Sequence, residues 1–278
     1  MKARLLLVVA AISAAVHAGA PPAHGQGQVP AIDDLVNLRR VGTPAISPDG
    51  ALVAYTVRET NWEDDANERE IWGGDLAKGT RRQLTRGKKS STQPAWSPDG
   101  AWLAFVSDRS DKRQVYRISA HGGEAEILTD APEGVNGLAW SPDGRFIAFT
   151  ANEPKPDAVK ERDKKYGEYI VVDQDHRPAH LHLVDVAARR TRQITQGAFV
   201  VGAFSWSPDS STIAFDHRIN SDPTHMGSAN ISTVHIGESP EEIEFLAHGT
   251  GPWRDLLMTL GAWSDGWKTW RSTNRCLR

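Results

Sequence analysis

One five-residue phrase recurs four times along the chain, and it constrains the fold more than any other feature. Its copies are Ile46-Ser47-Pro48-Asp49-Gly50, Trp96-Ser97-Pro98-Asp99-Gly100, Trp140-Ser141-Pro142-Asp143-Gly144 and Trp206-Ser207-Pro208-Asp209-Ser210. Serine, proline, aspartate and glycine in this order are the residues that a type I β-turn prefers. The serines lie 50, 44 and 66 residues apart, and the first two spacings match one blade of a propeller.

Each turn is followed by a run of strand-forming residues. The runs are Ala51-Leu52-Val53-Ala54-Tyr55-Thr56, Ala101-Trp102-Leu103-Ala104-Phe105-Val106, Arg145-Phe146-Ile147-Ala148-Phe149-Thr150 and Ser211-Thr212-Ile213-Ala214-Phe215. Because they are almost continuously apolar, we expect both of their faces to be buried between stacked blades. A third strand follows, and a fourth ends in Gln83-Leu84-Thr85, Ile127-Leu128-Thr129 or Gln193-Ile194-Thr195. This pattern predicts an all-β fold, a β-propeller.

The repeat predicts four complete four-stranded blades, at about residues 43–85, 93–129, 136–195 and 202–247. A degenerate fifth blade begins at Gly251. Its copy of the phrase, Ala262-Trp263-Ser264-Asp265-Gly266, lacks the proline. We therefore expect a partial propeller over residues 43–250, in an incomplete ring, followed by a divergent or out-of-frame tail over residues 251–278. A divergent final blade is the alternative. Open blade edges would favour self-association.

The third spacing is long because of an insertion, residues 151–177, between the second and third strands of that unit. It is rich in both acidic and basic residues, which predicts a solvated loop with a short helical piece. The functional alternative is that it lines or gates the mouth of a central channel.

The chain begins with a pattern typical of a secretory signal peptide, residues 1–20. Lys2 and Arg4 precede a short apolar run, which is followed by small residues. Residues 21–42 form a lead-in segment. We expect a periplasmic or secreted protein with no membrane span after cleavage, because the apolar run is shorter than the roughly 20 residues of a membrane helix.

Charge and cysteine content exclude several kinds of partner. The 32 Lys plus Arg and 35 Asp plus Glu are interleaved and give a net charge of −3, so nothing indicates nucleic acid. The single cysteine, Cys276, cannot form an internal disulfide or a cysteine-based metal site. We expect no cofactor.

The order of motifs resembles the propeller domain of the prolyl oligopeptidase family, and within it the bacterial acylaminoacyl and dipeptidyl peptidases. The likeness covers about residues 32–246, and its motifs are Asp33-Asp34-Leu35, Arg39-Arg40-Val41, Glu70-Ile71-Trp72, Gln83-Leu84-Thr85-Arg86-Gly87, Ser107-Asp108-Arg109 and His180-Leu181-His182-Leu183-Val184-Asp185-Val186. The resemblance implies that the propeller restricts access to a following α/β-hydrolase domain, a serine peptidase that cleaves short or N-acylated peptides.

The catalytic part of that family is not found in this sequence. No serine lies in a Gly-x-Ser-x-Gly frame, and Gly237-Glu238-Ser239-Pro240-Glu241 has the first glycine only. We therefore assign no catalytic residue and no substrate-binding residue, and expect a peptide substrate only if a hydrolase domain is supplied. The alternative is a free-standing TolB-like periplasmic propeller that binds protein partners.

Other candidate residues favour structural roles. His180 and His182 point to one face of a predicted strand, with His176, Asp173, Asp175 and Asp185 nearby, an arrangement that a divalent metal could use. Isolated strand histidines more commonly form hydrogen bonds and the family resemblance implies no metal, so we assign no metal site. The aspartates of the repeated turns indicate turn chemistry, and Trp96, Trp140 and Trp206 indicate packing rather than an aromatic ligand cage.

Overall fold

A computed structural model describes residues 31–42, 44–87, 89–171, 175, 177–218 and 229–237, and the backbone alone of 243–249. The chain divides into two units, Met1–Leu38 and Arg39–Arg278. In the first unit a short helix, α1 (Ile32–Val36), begins with the Asp34 carboxylate accepting the Ala31 N–H at 2.9 Å. The predicted signal peptide and the predicted tail lie outside the described residues.

The second unit contains four successive antiparallel meanders, which we number blades 1 to 4. Blade 1 consists of β1 (Arg40–Val41), β2 (Ala45–Ile46), β3 (Leu52–Asn61), β4 (Ala66–Asp75) and β5 (Thr80–Gln83). Blade 2 consists of β6 (Ser91–Trp96), β7 (Trp102–Ser110), β8 (Lys112–Ser119) and β9 (Glu126–Ile127). Blade 3 consists of β10 (Asn136–Trp140), β11 (Phe146–Asn152), β12 (Ala179–Asp185) and β13 (Arg190–Gln193). Blade 4 consists of β14 (Val200–Trp206), β15 (Thr212–Arg218), β16 (Ala229–His235) and β17 (Ile243–Gly249).

Strand pairing follows chain order within each blade. In blade 2, for example, Trp96 pairs with Leu103, which in turn pairs with Ile118. In blade 1 both β1 and β2 pair with β3, so that they form one interrupted first strand, and β1 lies within the predicted lead-in segment. One parallel pair, Ala179 with Val200, joins blades 3 and 4.

The predicted all-β architecture with four-stranded units is present within the described residues, whereas the predicted fifth unit lies outside them. The number of blades in the whole propeller stays a prediction. A helix, α2 (Asp157–Tyr166), lies between β11 and β12, as expected of the insertion. Within the described ranges no helix is long and apolar enough to cross a membrane.

The second strand of each blade carries a large apolar residue, an alanine and an aromatic residue in that order, as in Leu103-Ala104-Phe105. Because strand side chains alternate between the two faces, the large residues share one face and the alanine occupies the other. Leu103 and Phe105 lie in the core between blades 1 and 2, while Ala104 lies in the core between blades 2 and 3. Each interface thus joins a bulky face of one blade to a small-residue face of the preceding blade.

Burial of the second strands confirms the expectation for three of the four runs. The central residues of β7, β11 and β15 are buried on both faces. In β3 only Ala54 and Val57 are buried, which differs from the expectation. The physical reason is that the blades within the described part of the chain cover one face of blade 1, the face that packs against blade 2.

Each of the first strands β6, β10 and β14 contains a β-bulge, where two residues oppose one residue of the second strand. The register shifts between Thr92 and Ala95 in β6, and between Asn136 and Ala139 in β10. In β14 it shifts between Val201 and Phe204. The bulges re-aim the backbone of three first strands at equivalent points of their blades.

We expect Phe149→Ala to lower the free energy of unfolding by about 3–5 kcal/mol, because it empties a fully buried position between blades 2 and 3. The matched control is Tyr55→Ala, at the equivalent position of blade 1, where the ring is only partly buried. Urea denaturation followed by circular dichroism measures both. Equal losses would contradict the assignment of the bulky face to the blade interface.

Candidate functional site

The four repeated turns are held by the same side-chain contacts. In each turn the buried serine hydroxyl donates to the aspartate Oδ1, at 2.6 Å in Ser47–Asp49 and 2.5 Å in Ser207–Asp209. The serine Oγ also accepts a hydrogen bond from the N–H of the residue five positions on. In the second turn, for example, the Trp102 N–H donates to Ser97 Oγ at 2.9 Å. These contacts confirm that the turn aspartates serve turn chemistry.

The same hydrogen bonds lower the pKa values of Asp49, Asp99 and Asp209. The pKa of Asp209 is lowered to about 2, chiefly by the Ser207 hydroxyl and then by the Ser211 N–H. The pKa values of Asp49 and Asp99 are also lowered, first by the hydroxyls of Ser47 and Ser97. A carboxylate held this firmly in its charged form is a poor general acid or base at neutral pH.

The three tryptophans of the repeat link one blade to the next. The Nε1–H of Trp96 donates to the Ala45 carbonyl at 3.0 Å, and that of Trp140 donates to the Ala95 carbonyl at 3.1 Å. Trp206 repeats the contact with Ala139 at 3.2 Å. Each acceptor lies in the first strand of the preceding blade, so the expected packing role is confirmed and includes a directional hydrogen bond.

The second sequence signature also has a structural explanation. Its threonines are buried and lie just beyond the fourth strands, where each accepts a main-chain N–H from the third strand. The bonds are Ile71 to Thr85 at 2.8 Å, Val115 to Thr129 at 2.9 Å and Leu181 to Thr195 at 3.0 Å. Each threonine also contacts a polar side chain of the third strand: Glu70, Gln114 or His180.

The histidines of β12 are engaged in ordinary hydrogen bonds. His180 is buried, and its Nε2 lies 3.2 Å from Glu153 Oε1, while His182 Nδ1 lies 3.0 Å from the His180 carbonyl. Burial lowers the pKa of both rings, so both are neutral at pH 7.

The carboxylates near those histidines have other partners. Asp175 pairs with Arg162 at 2.6 Å, and Asp185 accepts the N–H of Ala188 at 2.8 Å. His176 and Asp173 lie outside the described residues. Within the described ranges no group of three histidine, cysteine or carboxylate side chains is arranged to hold a metal.

One serine–histidine contact lies in blade 4. His217 Nε2 lies 3.0 Å from Ser232 Oγ, but Ser232 is only 1% exposed and sits within β16. The adjacent acid, Asp216, directs its Oδ1 to the Ala203 N–H at 2.8 Å. A buried mid-strand hydroxyl that substrate cannot reach does not form a nucleophilic site.

The described part of the insertion has ion pairs at its base and within it. Arg177 pairs with Glu133 at 2.8 Å, and Glu153 contacts His180, so both ends are attached to blade 3 and its approach loop. Within the insertion Arg162 binds Asp175, and Lys155 binds Asp163 at 3.0 Å. Helix α2 itself has no buried residue, which agrees with the expected solvated helical piece.

A cavity of about 590 Å³ lies where the first strands of blades 2, 3 and 4 meet, and we call it the first-strand cavity. Its polar lining comes from Gln93, Asn136, Thr150 and Asn152. Asn152, at the start of the insertion, and Ala179, just after it, both border the cavity. The residues that line this cavity were not identified in the sequence analysis. The one available signal is that Gln93, three positions before Trp96, corresponds to Gly137, three positions before Trp140.

Comparison with known proteins assigns the class. Residues 34–174 match the family model described as the TolB beta propeller domain. The chain belongs to this family of β-propellers. The acylaminoacyl peptidase of Pyrococcus horikoshii has a similar fold, with a TM-score of 0.58 and 17% identity over 77% of this chain and 33% of that one.

The chain is also similar to the N-terminal propellers of peptidases. It is 30% identical over 226 residues to the uncharacterized peptidase YuxL of Bacillus subtilis, which covers 76% of this chain and 33% of that protein. It is 26% identical over 170 residues to dipeptidyl-peptidase 5 of Porphyromonas endodontalis, which covers 58% of this chain and 25% of that one. The chain thus spans a third or less of the length of these relatives.

We expect Asp209→Asn to lower the free energy of unfolding by roughly 1 kcal/mol or less at pH 6, since the carboxylate is exposed and screened. The folded pKa of about 2 lies below the unfolded value of about 4, so this contribution is present above pH 4 and is lost as the pH falls toward 2. Urea denaturation of both proteins between pH 6 and pH 2.5 measures it. Asp130→Asn controls for loss of one surface charge, and a pH-independent difference would contradict the assignment.

We expect Trp140→Phe to cost about 1–3 kcal/mol of unfolding free energy, because it leaves the Ala95 carbonyl without its donor while it keeps an aromatic ring. Trp102→Phe is the control, since the indole of Trp102 is also partly buried and stacks on Arg117 at 4.2 Å. Chemical denaturation compares the two variants. A loss at Trp102 as large as that at Trp140 would disprove the role of the Nε1–H.

Proposed function

We propose that this chain is the propeller portion of a serine peptidase that cleaves short or N-acylated peptides, with catalysis supplied by an α/β-hydrolase domain. The similarity to peptidases over 76% of this chain supports the proposal. Among the described residues the hydrogen bond between a serine hydroxyl and a histidine ring, Ser232 to His217, is buried. In this proposal the propeller contributes access control and not bond cleavage.

The insertion is the element that we assign to access control. The single observation that carries this role is that Asn152 and Ala179, at its two ends, both border the first-strand cavity. Propeller blades surround a central channel, so a segment that begins and ends at this cavity is well placed to limit what enters. The Arg177–Glu133 ion pair restrains its base, which gives the restriction a defined size.

We also propose that the protein acts in the periplasm or outside the cell. Lys2, Arg4 and the apolar run that follows support this localisation. A second candidate function, a free-standing TolB-like propeller that binds protein partners, is favoured by the match to the family model described as the TolB beta propeller domain. Such a module would capture a defined partner from an envelope extract and would not alter peptide cleavage when joined to a hydrolase.

A chimaera tests the peptidase proposal. The 226-residue segment of this chain that matches YuxL replaces its counterpart in that protein, and hydrolysis of acetyl-alanine p-nitroanilide is compared with cleavage of a 30-residue peptide. We expect the chimaera to cleave the short substrate and reject the long one. We expect this chain alone to cleave neither, and serine-inhibitor-sensitive turnover by the chain alone would refute the proposal.

Within the chimaera, Arg177→Met should increase cleavage of the long peptide relative to the short one, since it removes the ion pair at the base of the insertion. Arg39→Met is the matched control, because it breaks the exposed Arg39–Glu59 pair of blade 1. If neither variant changes the ratio of long to short cleavage, the insertion does not control access.

A further inference from the structure

The first-strand cavity is large and its lining is uncharged. It is about 590 Å³, which is large enough for several residues of an extended peptide, and three successive blades contribute to its wall. None of the residues that line it is charged. A ligand with ionised ends would lose hydration there without gaining a partner of opposite charge among the lining residues, whereas a neutral chain would not.

Gln93 occupies a strained backbone position in this wall. Its φ is +56°, in the left-handed region that glycine adopts easily and other residues adopt at a cost. The equivalent residue of blade 3 is Gly137, with a φ of +69°. Blade 4 has Ala203 at this position, without a positive φ, so blades 2 and 3 share the left-handed backbone and only blade 2 combines it with a side chain, which is exposed and lines the cavity. Strain of this kind at a cavity wall motivates a functional hypothesis.

The neighbouring amides complete a neutral polar surface. Asn136 Oδ1 accepts from Arg113 Nη1 at 3.1 Å, which leaves the Nδ2 group of Asn136 as a donor. Asn152 lies on the same wall, together with the apolar side chains of Leu138 and Phe204. A carboxamide presents one acceptor and two donors, the same groups that a peptide main chain presents in alternation.

We propose that the first-strand cavity binds the main chain of an extended, uncharged peptide segment, and that the Gln93 carboxamide pairs with one of its peptide groups. The proposal deepens and rests on the proposed function, because it names where the propeller contacts a peptide substrate. The backbone strain at Gln93 is retained because glycine would supply no carboxamide at this point of the wall.

The test measures binding by the full chain alone, with N-acetyl-tetraalanine amide as the probe and tetraalanine with free termini as its charged counterpart. Calorimetry gives the dissociation constants, and the side-chain amide resonances of Gln93 locate the site. We expect saturable binding of the blocked peptide, shifts of the Gln93 resonances, and binding of the free peptide that is at least threefold weaker. Absence of saturable binding, or binding without shifts at Gln93, overturns the proposal.

Three variants separate the carboxamide from the strain. Gln93→Gly removes both, so we expect Tm to rise by roughly 2–4 °C and Kd to weaken roughly 2–10-fold. Gln93→Ala removes only the carboxamide, so Kd should weaken equally with no rise in Tm. Asp111→Gly is the matched control, since Asp111 has a φ of +70° in an exposed turn away from the cavity, and it should raise Tm and leave Kd unchanged.

The outcomes are distinct from those of the chimaera. An unchanged Kd in both Gln93 variants overturns this inference even if the chimaera restricts long substrates. Peptide binding that depends on Gln93 supports it even if the chimaera is inactive, because this measurement needs no hydrolase domain.

Discussion

The rest of the structure depends on the packing of each blade against the next through a bulky face and a small one. Phe105, Phe149 and Phe215 are fully buried at equivalent points of three blades. Interiors are packed as densely as organic crystals, so a phenylalanine fits between blades only where the facing strand carries a residue as small as alanine. The tryptophan Nε1 bonds add direction, since each reaches back to the blade before. Together these contacts fix the order and spacing of the blades.

Much of this fold could be predicted from the residues because the blade is repeated. Turn chemistry is local, so the Ser-Pro-Asp-Gly phrase identifies its own hydrogen bonds, and a glycine or a serine at its end takes a positive φ in every copy. The second strands could be predicted in the same way, because each is an apolar run that follows the turn. The incomplete burial of β3 could not be inferred from its own residues, because burial depends on which blade covers a face.

The candidate site was harder to predict, for physical reasons. Gln93 stands where the next two blades have Gly137 and Ala203, so the repeat gives no consistent local signal for it, and the cavity it lines forms only when three blades meet. The histidines form hydrogen bonds, as the sequence analysis favoured, but only one of the partners is local. His182 contacts the carbonyl of His180, two residues away, whereas His180 contacts Glu153 across the insertion, a distance in sequence that residue spacing does not encode.

Residues that follow the repeat and residues that break it carry different roles. Repeated positions are buried or hydrogen-bonded within the scaffold, and their chemistry is used to hold turns and blades together. The breaks are a glutamine with a positive φ, where the next blade has a glycine, and an insertion that begins and ends at the same cavity. A scaffold whose local preferences agree at most positions can tolerate strain at a few of them. Both breaks border one cavity, so the proposed peptide binding and the proposed access control would act at the same place.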